Sequence, residues 1–136
     1  MRETGARAHA MLRALVIVDV GPEVSDRGRA AIKLGGQLLV IDSRHVIAIG
    51  AYGLFLETTD AGKNWVPRSI MTDDMHLNRL TRGADGTLFL AGERGTLLRS
   101  DDNGATWTKL DAHYNGSFYG VLAVAPSRLL AYGLRG

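Results

Sequence analysis

A ten-residue phrase occurs twice in this chain, as TTDAGKNWVP from Thr58 and as SDDNGATWTK from Ser100, with a hydroxyl, an Asp, a Gly and a Trp at matching offsets. Extending the alignment upstream pairs Gly50 with Gly92 and Gly53 with Gly95, so the whole stretch Ile49 to Trp65 maps onto Ala91 to Trp107 at a constant offset of 42 residues. A third copy begins near the end of the sequence, where Gly133 and Gly136 repeat the spacing of Gly92 and Gly95 at an offset of 41. A period of 40 to 45 residues is that of a β-propeller blade, built from four antiparallel strands. Four short strand-forming runs per period, among them TLFLAG, TLLRS and WTKL, agree with it.

The runs VIAIG and TLFLA are apolar continuously rather than at alternate positions, as expected of strands whose sheet is covered on both faces. Blades packed face to face supply that cover. The expected fold is therefore all-β: a β-propeller fragment of about three four-stranded antiparallel blades, the last one truncated. The blades are assigned to 34–70, 75–111 and 116–136, behind an N-terminal segment, 1–33, of uncertain structure. A closed ring needs at least four blades, which 136 residues do not supply at this period. Self-association through open blade faces, or else poor solubility, is expected in consequence.

Each blade needs its own turn between third and fourth strands, which explains the repetition. In that turn Asp60 or Asp102 can accept hydrogen bonds from backbone N–H groups further on, and Gly62 or Gly104 can take a left-handed conformation. Thr58 and Ser100 open the phrase. Trp65 and Trp107 close it, each offering an apolar face to cover the turn and an indole N–H that seeks a backbone acceptor. Between second and third strands, paired glycines bracket Ala51-Tyr52, Glu93-Arg94 and Leu134-Arg135, which are expected at the tips of tight hairpins.

Charge and residue inventory exclude several functions. Residues 1–33 carry six basic and four acidic side chains and residues 34–136 ten of each, so the repeats lack the basic stripe of a nucleic-acid binder. No apolar run approaches the ~20 residues of a membrane-spanning helix. The absence of cysteine removes disulfides and thiolate sites. Asp73, Asp74 and His76 have the spacing of a metal site, but the trio has no second copy and reads as a solvated loop between blades, so no metal and no cofactor are expected. His45 and His113 stand alone, without a nucleophile elbow.

The phrase matches the Asp-box, or BNR repeat, and in its GxxGxLLRSxDxGxTW setting the chain resembles the photosystem II stability and assembly-factor-like propellers over roughly Gly36 to Gly136. That resemblance implies a bacterial β-propeller of the sialidase-type Asp-box superfamily. It also implies a non-catalytic role in protein–protein interaction, an unidentified protein partner, and a cell-envelope or periplasmic setting. Asp-boxes also occur in sialidases and other glycosidases, which makes a glycoside hydrolase the alternative, beside an inactive fragment of a larger propeller. Glycosidase chemistry needs two carboxylates flanking the scissile bond. Asp60 and Asp102 are expected to be occupied by their own turns, and the Phe/Tyr-Arg-Ile-Pro phrase of sialidases is absent, so no catalytic residue is assigned. In a four-stranded blade the Asp-boxes share one face with the first-to-second turns. The opposite face presents the hairpin tips and blade-to-blade loops, including Asp73, Asp74, His113 and Asn115. Tyr52, Glu93, Arg94, Tyr114 and Arg135 are the candidate binding residues there, because Tyr and Arg on loops of a rigid scaffold are frequent hot spots.

Overall fold

Each copy of the repeat folds into a separate antiparallel sheet in the computed structural model, which describes residues 35–134. The segment 1–33, Arg135 and Gly136 lie outside the described residues. The first blade consists of β1 (Gly35–Val40), β2 (Val46–Gly50), β3 (Phe55–Thr58) and β4 (Val66–Pro67), paired in sequence order. The second repeats this with β5 (Leu77–Arg82), β6 (Leu88–Gly92), β7 (Leu97–Ser100) and β8 (Thr108–Lys109). Among the described residues the third has two strands, β9 (Phe118–Ala125) and β10 (Arg128–Gly133). The 42-residue offset is preserved in the hydrogen-bond register: Val46 faces Thr58 and Leu88 faces Ser100. The described chain is thus all-β, a propeller fragment, and no helix in it is long and apolar enough to cross a membrane.

Strand alternation sends successive side chains to opposite faces, and here both faces are used. Ile47 and Ile49 of β2, with Phe55, pack against Leu80, Leu88 and Leu90 of the second blade. Phe89 and Ala91 of β6 turn the other way and meet Phe118 and Val121 of the third. Every residue of β6 is therefore buried, the physical origin of its unbroken apolar run. On the far side of β9–β10, Leu122, Leu130 and Tyr132 are half exposed.

Polar side chains fasten blade to blade where apolar contact cannot satisfy backbone groups. The Gln37 amide donates from Nε2 to the Leu80 carbonyl at 2.7 Å and accepts the Leu80 N–H at 2.6 Å. Asn78 donates to the Phe118 carbonyl at 2.7 Å. Arg68, just after β4, reaches across to the carbonyls of Gly104 and Ala105 at 2.8 and 2.5 Å. Its guanidinium also pairs with Glu57 at 3.1 Å and lies 5.5 Å from the Phe55 ring centre. The second Glu57 oxygen is 2.6 Å from His45 Nε2, so His45 belongs to this junction and is not an isolated histidine. The position 42 residues on from Arg68 is Leu110, which packs on the apolar contact between second and third blades.

Candidate functional site

The two Asp-box turns share the same hydrogen bonds from the hydroxyl to the residue two after the glycine, and differ at the closing Trp. Thr58 and Ser100 are 1% exposed, and each hydroxyl accepts the N–H of the glycine four residues on, Gly62 at 2.9 Å and Gly104 at 2.8 Å. Each hydroxyl in turn donates to its Asp, Asp60 or Asp102, at 2.8 Å. The carboxylates close the turn by accepting from the residue four positions ahead. Asp60 takes the backbone N–H and side-chain amide of Asn64, each at 2.8 Å; Asp102 takes the N–H of Thr106 at 2.8 Å and its hydroxyl at 2.5 Å. Gly62 and Gly104 have φ of 89° and 90°. The Trp107 indole N–H donates to the Gly104 carbonyl at 3.0 Å, whereas the buried indole nitrogen of Trp65 has no acceptor among the described residues.

These bonds decide what the carboxylates can do. Hydrogen bonds from the Asn64 backbone and side chain, then from Thr58, lower the Asp60 pKa from 3.8 to about 2. The Thr106 side chain and backbone, then Ser100, do the same for Asp102. Donors aimed at the ionised form favour it. A general acid needs a pKa near its working pH, so neither group has a proton to give near neutrality. Asp60 and Asp102 hold turns together.

The Asp-boxes share a face with the first-to-second-strand turns, as the Ala61 N–H shows by donating to the Arg44 carbonyl at 2.9 Å. The opposite face carries the hairpins. At the first tip Tyr52 and Gly53 have φ of 55° and 70°, at the second Arg94 and Gly95 have 52° and 72°. The Leu54 N–H donates to Ala51 O at 3.1 Å and the Thr96 N–H to Glu93 O at 3.0 Å. Positive φ at both central residues is the type I′ geometry that suits strand twist. The two-residue loops are therefore Tyr52-Gly53 and Arg94-Gly95, one position later than the pairs Ala51-Tyr52 and Glu93-Arg94 expected from sequence. The leading glycine serves another purpose at Gly92, where a Cβ would lie 2.7 Å from the His76 carbonyl. Close approach, not a left-handed φ, requires it.

Each tip is bolted to a blade-to-blade connection. The Gly53 N–H donates to Met75 O at 2.8 Å, and the Gly95 N–H to Gly116 O at 2.7 Å. Glu93 is committed to this framework: its N–H donates to His76 O, and its carboxylate accepts the His76 N–H at 3.0 Å. Tyr114 turns inward, with its ring 4.9 Å from that of Phe118 and its hydroxyl buried without a partner among the described residues. Neither offers the free side chain expected of a contact residue. Tyr52 is 72% exposed and lies 4.8 Å from the His76 ring, and Arg94 is exposed. Asp73, Asp74 and His76 form no metal-binding group, nor does any other cluster among the described residues.

Two grooves flank the second hairpin. One, of about 360 Å³, runs between the first connection and β7–β8; the other, of about 350 Å³, lies over the second connection, 110–115. Arg94 and Lys109 border both. Lys109 went unnoticed in the sequence because nothing in the repeat marks it. Met71 and Met75 did carry a signal, since two of the chain's four methionines fall within five residues there, and methionine is favoured at adaptable binding surfaces.

The family model of the photosynthesis system II assembly factor YCF48 matches residues 34–130. Photosystem II assembly lipoprotein Ycf48 of Synechococcus sp. (strain CC9902) is 33% identical over 92 residues, covering 63% of this chain and 27% of the relative. Among solved structures, YCF48 bound to D1 peptide superposes with a TM-score of 0.61 at 24% identity, and YCF48 from Cyanidioschyzon merolae with 0.59 at 23%. Each match covers 72% of this chain and 33% of the solved one, and at this identity the likeness is one of fold. The chain spans about a quarter of the curated relative and a third of the solved propellers. On the family match over 34–130, together with the paired Asp-boxes and the blade geometry, the chain belongs to the family of the photosynthesis system II assembly factor YCF48.

Proposed function

We propose that this chain is a non-catalytic propeller module of photosystem II assembly type that binds a segment of a partner protein on its hairpin face. The observation that carries the reading is the pair of hairpin tips. Tyr52 and Arg94 occupy left-handed positions that Asn or Gly would fill at lower cost, at about 1 to 2 kcal/mol each. Ala61 and Asn103 of the Asp-box turns share the left-handed conformation; what sets the hairpin tips apart is that theirs holds an exposed Tyr and an exposed Arg on the same face of neighbouring blades. Commitment of both Asp-box carboxylates to their own turns supports the absence of catalysis. The D1 peptide bound by one similar propeller suggests the kind of partner, a peptide segment.

Titrating a D1 peptide against the chain and its Arg94→Glu, Lys109→Glu double variant tests this. The variant is expected to bind at least about tenfold more weakly, with folding stability within about 1 kcal/mol of the parent because both side chains are exposed. Unchanged affinity would remove the hairpin face from the account.

A further inference from the structure

The groove between the first connection and the second blade counts five large apolar side chains among those that line it, beside charged and polar ones. Ile70, Met71 and Met75 line it from the connection, Leu98 from β7, and Trp107 from the residue before β8. Leu98 is buried and forms the floor, while the other four stay partly open to solvent. Arg94 and Lys109 stand on the wall, both exposed, and neither makes an ion pair among the described residues. Asp73 is the one acidic residue lining the groove among the described residues.

We propose that this groove is the anchor site for one large apolar side chain of an acidic peptide, whose flanking carboxylates are taken by Arg94 and Lys109. The inference rests on the hairpin-face reading and adds to it a specificity that charge alone does not give. Charge complementarity selects the occupant: two cations without acidic partners among the described residues, beside a row of apolar side chains, favour a segment that carries anions next to a hydrophobic residue. Met71 and Met75 suit such a site, since unbranched thioethers adapt to the shape of an incoming side chain. An anchor in a desolvated pocket with a charged rim is also the usual layout of an interface hot spot.

The test uses the whole 136-residue chain and three fluorescein-labelled peptides, read by anisotropy: an acidic peptide with one central leucine, the same peptide with alanine there, and the leucine peptide with lysines in place of its acids. The leucine peptide is expected to bind at least about tenfold more tightly than the alanine peptide, the ratio that burial of a leucine side chain supports. The lysine peptide is expected not to bind. Met75→Ala should lower the leucine peptide towards the alanine peptide's affinity while leaving the alanine peptide unaffected, because it removes apolar surface without changing charge, and Ile70→Ala should move the ratio in the same direction. Equal affinity of leucine and alanine peptides, both lost in Arg94→Glu, would overturn the anchor and leave the hairpin face standing. Binding of the lysine peptide, or binding of the acidic peptides that Arg94→Glu does not change, would overturn the anchor and the hairpin face together, as would the absence of any binding.

Discussion

Replacing Gly95 by alanine is expected to destabilise the chain by at least about 3 kcal/mol, through two effects that add. At φ of 72° a Cβ meets the left-handed penalty of roughly 1 to 2 kcal/mol. The new atom would also collide with the Tyr114 carbonyl oxygen, a backbone atom that cannot step aside without breaking the Gly95 to Gly116 hydrogen bond of 2.7 Å. That bond ties the second hairpin to the connection leading into the third blade. Gly86→Ala is the control, because Gly86 has φ of 90° but nothing within 4 Å of the added atom. It should lose the backbone penalty alone. Chemical denaturation of the two variants separates the contributions, and equal losses would mean that the hairpin is not seated on the connection as described.

Phe55→Ala should cost about 3 to 5 kcal/mol, the range for emptying a fully buried aromatic site. Phe55 is 1% exposed and sits at the junction of first and second blades, with Trp107 edge-on at 6.0 Å and the Arg68 guanidinium over its ring. Truncation leaves a cavity beneath Arg68, whose hold on the Gly104 and Ala105 carbonyls connects the first blade to the second Asp-box. The melting temperature is expected to fall by more than about 10 °C. Val66→Ala on the exposed strand β4 should change it by little, since Val66 is 56% exposed. A Phe55→Ala variant that melts with the parent would show that the blades do not support one another.

The periodic features of this fold were legible in the sequence because each blade must solve the same problem separately. Turn closure by a hydroxyl, an Asp and a Gly appears twice, and cover on both sheet faces leaves its mark in the unbroken apolar run of β6. What the repeat does not constrain was not legible. Arg68 has Leu110 as its counterpart, so comparison of the copies gives no hint that a guanidinium crosses to the neighbouring blade. The hairpin register slipped by one residue because glycine is the expected occupant of a left-handed position, whereas Tyr52 and Arg94 share that conformation with the glycines after them. Glu93 and Tyr114 read as exposed loop residues by type and position. Only the packing reveals that the Glu93 carboxylate accepts the His76 N–H and that the Tyr114 ring lies against Phe118.

Amide hydrogen exchange with and without bound peptide, resolved to short segments, locates the binding face without altering any residue. The account predicts slowed exchange at the tips containing Tyr52 and Arg94 and along the connections, residues 70–76 and 110–116, with the Asp-box turns at 58–65 and 100–107 unchanged. Slowing at the Asp-box turns with unchanged hairpin tips would contradict it and move the binding surface to the other face of the blades.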